Sequence, residues 1–185
     1  MNTVEEILEV FHQRGDSEYG GESITQLQHA LQAARLAEQS DASSSLITAS
    51  LLHDIGHLLH DLPDDAPDQG IDDHHETSGY HFLKSLFSDA VCEPVRMHVA
   101  AKRYLCAIDQ DYWAELSEPS KVSLELQGGP MSDDEVESFR KRPFSEDATR
   151  LRRWDDEAKV VDLETPPLSH FEKHVRQALE ESSQQ

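Results

Sequence analysis

Cysteine is scarce in this chain: Cys92 and Cys106 are the only two among 185 residues. They form neither a metal-type pair nor a disulfide framework, as expected in a reducing cytoplasm. Positive charge is also scarce, with 16 Lys and Arg against 37 Asp and Glu and a net charge of −21. Such an excess argues against nucleic acid or an anionic membrane as partner, because their phosphates would be repelled at long range. A small anionic substrate is not excluded, since a local cluster of cations and metal ions can dominate a closed pocket. There is no apolar run long enough to span a membrane. The start, Met1 to Phe11, is acidic and amphipathic and lacks the basic opening and apolar stretch of a signal peptide. No internal repeat and no second core are visible. One domain over residues 1–185 is therefore expected, a monomer in the cytoplasm, large enough to bury about two thirds of its unfolded-chain surface.

What is present reads as almost all helix. The periodicity predicts helices near 3–14, 23–40, 43–60, 73–87, 89–108, 111–115, 117–127, 132–140, 144–154 and 168–182. Ser117-Glu118-Pro119 and Ser132-Asp133-Asp134-Glu135 have the form of helix starts. A proline-broken polar loop is expected from Asp61 to Gly70, a second break at Gln127-Gly128-Gly129-Pro130, and fraying from Glu181 to Gln185.

The segment richest in chemistry is Leu51-Leu52-His53-Asp54-Ile55-Gly56-His57. Imidazole and carboxylate suit divalent iron, manganese or zinc, and a carboxylate has a second oxygen with which to bridge to another metal. On a continuous helix His53, Asp54 and His57 project to one side. Any single histidine among leucines is ordinarily a core residue bonded to a carbonyl. Three such groups buried together without a metal or ionic partner would cost roughly 1 to 3 kcal/mol each, which favours the metal reading for the cluster.

Four other segments put His or Asp on an apolar helix. His29 borders the stripe Leu27, Ala30, Leu31 and Ala34; His75 precedes Gly79 by four residues, a spacing that would let another helix approach; His98 is followed one turn later by Lys102; Asp155 is preceded by Arg152. His74 competes with His75, and composition alone does not separate them. His12, His60, His81, His170 and His174 read as surface histidines. Trp154 reads as packing beside Asp155, and Trp113 as either core or pocket wall.

The ordered set His29, His53-Asp54, His75, His98 and Asp155 resembles the dinuclear form of the HD-domain superfamily. More narrowly, Tyr19-Gly20-Gly21-Glu22, His98 to Leu105, Gln127 to Met131 and Arg152-Arg153-Trp154-Asp155 resemble the mixed-valent diiron oxygenases that cleave the carbon–phosphorus bond of 1-hydroxy-2-aminoethylphosphonates. The resemblance runs from about Tyr19 to Asp162, leaving 163–185 as a C-terminal helix and tail. It implies an all-α HD bundle with a dinuclear centre in its core. It further implies that His29, His53, Asp54 and Asp155 hold one iron and Asp54, His75 and His98 the other, one ferrous and one ferric, with dioxygen as co-substrate.

The same resemblance implies that His57, Lys102, Ser120 and Arg152 surround the phosphonate, and that Tyr19 and Glu22 form a mobile pair closing the resting site, Glu22 also being suited to a cationic head group. His57, Lys102, Tyr19 and Glu22 would be the catalytic set. The expected activity is oxidative release of phosphate from 1-hydroxy-2-(trimethylammonio)ethylphosphonate or its free-amine analogue, giving glycine betaine or glycine. The room left by Gly20-Gly21 favours the bulkier substrate. A metal-dependent HD phosphohydrolase acting on a small phosphate ester is the alternative reading, and a binding module on a degenerate HD fold is the third. The second has no use for Tyr19-Gly20-Gly21-Glu22, and the third does not need all six ligand positions filled.

Overall fold

The computed structural model describes residues 4–59, Gly70 and residues 73–184. The expected surface histidine His60, and the expected loop 61–70 apart from Gly70, lie outside the described residues. Among those described there are ten α-helices and no strand, only an isolated antiparallel bridge between Glu18 and Thr25. No helix among them is long and apolar enough to cross a membrane.

The helix at the centre is α3, Ser44–Leu52, in which every residue from Ser45 onward is buried. A helix apolar all round has no solvent face and must be covered on every side. Its covering elements are α2 (Gln26–Gln39), α5 (Asp89–Ile108), α9 (Ser145–Glu157) and α10 (Leu168–Ser182). Several helix starts have a local cause. Thr25 and Gln28 form a reciprocal capping box that begins α2, so His29 falls in its first turn. Ser43 caps α3 by accepting from the Leu46 amide at 3.2 Å. The predicted starts at Ser117 and Ser132 are both present, capping α7 (Glu118–Leu126) and α8 (Asp133–Arg140).

The largest departure from the sequence pattern lies in the expected helix 43–60. The α-helix stops at Leu52, His53 and Asp54 form a turn, and a short 3₁₀ helix follows at Ile55–Leu59. The reason is Gly56, which lies against the start of α4 (His75–Leu83). A Cβ there would fall on the His75 carbonyl oxygen and 2.7 Å from its carbon. Close approach at this crossing depends on Gly56; at Gly79 an added Cβ would meet neighbours at ordinary contact distances, 3.5 Å and beyond. The His53-Asp54 pair is therefore displayed at a helix end, where both side chains leave the α3 axis.

The C-terminal helix is docked more firmly than expected. Phe171, Val175 and Ala178 are buried, Glu181 accepts a hydrogen bond from Ser45 at 3.0 Å, and the Ser182 hydroxyl accepts from the Ser88 amide at 2.7 Å. Fraying therefore does not begin at Glu181. His170 and His174, expected at the surface, are half-buried on α10 and both contact Glu38, whose carboxyl is lowered to about 2 mainly by the His174 hydrogen bond. His12 and His81 are exposed as expected.

Replacing Gly56 with Ala is expected to lower the unfolding free energy by about 1–3 kcal/mol, the usual cost of overpacking. Thermal denaturation followed by circular dichroism measures it, and an unchanged midpoint would mean that α4 yields freely.

Candidate metal centre

Six side chains from five elements meet in the core. His29 comes from α2, His53 and Asp54 from the turn after α3, His75 from α4, His98 from α5 and Asp155 from α9. All six are buried. They fall into two groups whose ligand atoms lie within 4.8 Å of one another: His29, His53, Asp54 and Asp155, and then Asp54, His75 and His98. Asp54 belongs to both. Its Oδ2 lies 3.5 Å from His29 Nε2 and 3.3 Å from His53 Nε2, while its Oδ1 lies 3.4 Å from His75 Nε2 and 3.3 Å from His98 Nε2. This is the division of oxygens a bridging carboxylate makes.

The histidine tautomers follow from the outer hydrogen bonds. The four Nδ1 atoms face acceptors: the Ala158 carbonyl at 2.8 Å from His29, Ser50 at 2.9 Å from His53, Val95 at 2.7 Å from His98, and the Asp73 carboxylate at 2.8 Å from His75. Each Nδ1 therefore carries the proton as donor, and each Nε2 turns a lone pair inward. The inward nitrogens approach in pairs at 3.1 Å, His29 with His53 and His75 with His98. Two facing lone pairs at that distance repel unless a positive charge lies between them. Asp54 Oδ1 is buried and has no hydrogen-bond partner among the described residues. The donor set thus fits two cations, each offered imidazole nitrogen and carboxylate oxygen.

The charge balance of the protein alone supports this. Burial acts to lower the His53 pKa, but Asp54 and Asp155 outweigh it and push it up to about 10, whereas burial lowers His29 and His75. The carboxyls of Asp54 and Asp155 lie well below the ordinary range: burial opposes this, but His53 beside the first and Arg152 beside the second prevail. The cluster draws in positive charge, and a metal would displace a proton in taking it.

His57 is not in either group. Its Nδ1 lies 2.6 Å from Asp73 Oδ2 and its ring stacks on His75 at 3.9 Å. Asp73 thereby joins His57 to His75, and its carboxyl is lowered strongly because these two hydrogen bonds outweigh burial. Sequence reasoning did not select Asp73; an acid two residues ahead of a ligand histidine is the signal that could have found it. Of the adjacent pair, His75 is buried among the candidate ligands while His74 is exposed in a left-handed conformation, φ 49°.

Of the cations expected around a phosphonate, Lys102 and Arg152 neighbour each other and Asp155. Lys102, one turn after His98, is buried and donates to Ser123 at 2.6 Å. Burial and then the Arg152 charge bring its pKa down to about 7. Arg152 is buried too, 2.8 Å from Asp155 Oδ2, and it also bonds Asp156 and the Tyr112 hydroxyl. Its guanidinium thereby holds one of the candidate ligand carboxylates. Ser120, buried on α7, accepts from Lys159 at 2.9 Å. Lys159, also not selected from sequence, lies four residues after Asp155, the same spacing that separates Lys102 from His98. Trp154 is buried and Trp113 is about half exposed beneath Lys121.

Tyr19 stacks on His29 with ring centroids 3.8 Å apart, and its hydroxyl donates to Asp155 Oδ1 at 3.3 Å. Burial, then Asp155, raises the phenol pKa well above its usual value. Gly20 and Gly21 have φ of 42° and 81°, and the Glu22 amide donates back to the Tyr19 carbonyl at 2.7 Å. Both glycines have the positive φ of this turn, and a side chain at Gly20 would meet nothing within 4 Å.

The HD domain family model matches residues 26–160. A hydroxymethylphosphonate dioxygenase from Gimesia maris is 48% identical over 180 residues, covering 97% of this chain and 89% of the relative. A [1-hydroxy-2-(trimethylamino)ethyl]phosphonate dioxygenase (glycine-betaine-forming) from Leisingera caerulea is 42% identical, covering 97% and 91%. An uncharacterized protein, L432, of Acanthamoeba polyphaga mimivirus is 33% identical, covering 99% and 84%. A helical bundle built around a buried His-Asp centre, matched over nearly its whole length by these relatives, belongs to the HD domain family and stands in it beside the phosphonate dioxygenases.

Proposed function

We propose that this chain is a dioxygenase that cleaves the carbon–phosphorus bond of a small 1-hydroxyphosphonate at two irons, one ferrous and one ferric. The observation that carries the reading is Asp54, whose two oxygens serve two separate imidazole groups, with Lys102 and Arg152 buried beside them. The same ligands in a phosphohydrolase would activate water, but both relatives with a named activity are dioxygenases. One hydroxyphosphonate dianion and one dioxygen give one carboxylate, one hydrogen phosphate and one proton. The four electrons that dioxygen accepts come from the substrate, so turnover needs no external reductant. The same reading has the chain acting as a monomer in the cytoplasm.

When bound, the iron pair supplies dioxygen activation and an anchor for the substrate hydroxyl. The chain's own residues supply binding and orientation. Lys102 offers a compact charge and Arg152 a planar fork to the phosphonate oxygens. Ser120 adds a hydroxyl. His57, whose pKa Asp73 raises against the effect of burial, adds a further hydrogen-bonding group. Tyr19, stacked on His29, covers the first group and excludes water until substrate displaces it, and Glu22 travels with it through the Gly20-Gly21 turn. Neutralising the dianion while fixing C1 near the centre is what converts binding into a productive geometry.

Iron-loaded protein given a hydroxyphosphonate is expected to consume dioxygen and release phosphate in equal amounts, followed with an oxygen electrode and a phosphate assay. Phosphate release in the absence of dioxygen would support the hydrolase instead. The pH dependence carries a definite sign. Lys102 is protonated below about 7, so its share of phosphonate affinity is present at acidic pH and fades as pH rises above 7. Lys102→Arg keeps its charge throughout. The rise of KM between pH 7 and 9 should therefore be flatter in the Arg variant than in wild type, and parallel profiles would remove Lys102 from the clamp.

A further inference from the structure

A positively charged substrate head would be received by a carboxylate, an aromatic face and hydroxyl oxygens. The chain has assembled such a set from Glu22, the Tyr19 ring, Ser117 and Ser120, and a cation of its own lies among them. Lys159 Nζ is 2.9 Å from Ser120 Oγ, 3.4 Å from Ser117 Oγ, 3.7 Å from Glu22 Oε1 and 5.9 Å from the centre of the Tyr19 ring. Only 12% of its side chain is exposed. The backbone on either side is fixed. The Ala158 carbonyl accepts from His29, and Gln32 bonds both the amide and the carbonyl of Val160, at 3.0 and 2.8 Å. The ammonium is therefore delivered to its place by the same end of α9 that delivers the ligand Asp155.

Resting on the phosphonate reading above, we propose that Lys159 is a specificity-determining residue whose ammonium fills the head-group subsite and selects hydroxyphosphonates with no positive charge beyond C1, hydroxymethylphosphonate being the smallest. A substrate ammonium entering this side would meet Lys159, whose charge lies 3.7 Å from Glu22 Oε1, an oxygen that has no hydrogen bond of its own among the described residues. Like charges in a largely desolvated site repel strongly, whereas a bare C1 hydrogen meets no such opposition. The short C1 substituent also leaves the Lys159 hydrogen bond to Ser120 intact. The discriminating element is thus repulsive, and it is built into the chain.

The test compares hydroxymethylphosphonate with 1-hydroxy-2-(trimethylammonio)ethylphosphonate on the iron-loaded full chain, in wild type, Lys159→Met and Lys159→Arg. Two readouts are taken: kcat/KM for each substrate, and binding by calorimetry under anaerobic conditions. Wild type is expected to favour hydroxymethylphosphonate. Lys159→Met should shift the ratio towards the trimethylammonium substrate at least tenfold, about 1.4 kcal/mol, while Lys159→Arg should retain the wild-type preference. A wild-type preference for the trimethylammonium substrate would overturn the proposal. So would a Met variant that weakens both substrates equally, the behaviour of a general phosphonate anchor. If the protein binds both compounds but turns over neither, the activity reading fails, and the calorimetric ratio still decides the role of Lys159.

Discussion

One carboxylate governs this molecule. Asp54 is buried, turns one oxygen towards His29 and His53 and the other towards His75 and His98, and has no protein hydrogen bond on the second oxygen among the described residues. Such a group is unfavourable in a protein core unless positive charge reaches both of its sides. The four outward Nδ1 hydrogen bonds fix the imidazoles so that only cations can supply it. Each of these bonds ends on a backbone carbonyl or on Asp73, so the rings are oriented by elements already rigid through packing. Helices α2, α4, α5 and α9 converge at this point, and the apolar α3 is the post from which Asp54 is presented.

The presentation depends on ending a helix in the right place. Had α3 continued, His53 and Asp54 would have followed its spiral; instead the turn and the 3₁₀ segment carry Gly56 under the His75 backbone. That contact brings the second half of the site, His75 with His57 and Asp73, against the first. Stability and function share one small region, in which packing at Gly56 and ligand geometry at Asp54 are two residues apart.

Much of this was legible in the sequence because its chemistry is local. Ser and Thr caps marked helix starts, and His or Asp on apolar helices marked the six candidate ligands, with His74 left beside His75. Spacing of one helical turn tied Lys102 to His98 and Arg152 to Asp155. What the pattern could not convey were relations across the fold. The 3₁₀ segment after His53 packs through a close approach that Gly56 permits to His75, nineteen positions later, and a pattern with period 3.6 has no term for it. The same holds for Asp73, which matters through His57 and His75 together. Lys159 follows the last ligand helix and acquires meaning only when the Tyr19 turn, far earlier in the chain, folds over it. Gly20-Gly21 carry a constraint that a reading as space leaves out: both have the positive φ of a turn.

The claim that everything else rests on is that Asp54 joins two irons. Electron paramagnetic resonance of the partly reduced, iron-loaded protein tests it directly, with iron counted in the same samples. Two irons per chain and the signal of a coupled ferrous–ferric pair are expected, the signal changing when a hydroxyphosphonate is added and vanishing in Asp54→Ala. One iron per chain with an uncoupled ferric signal, unaltered by the phosphonate, would contradict it.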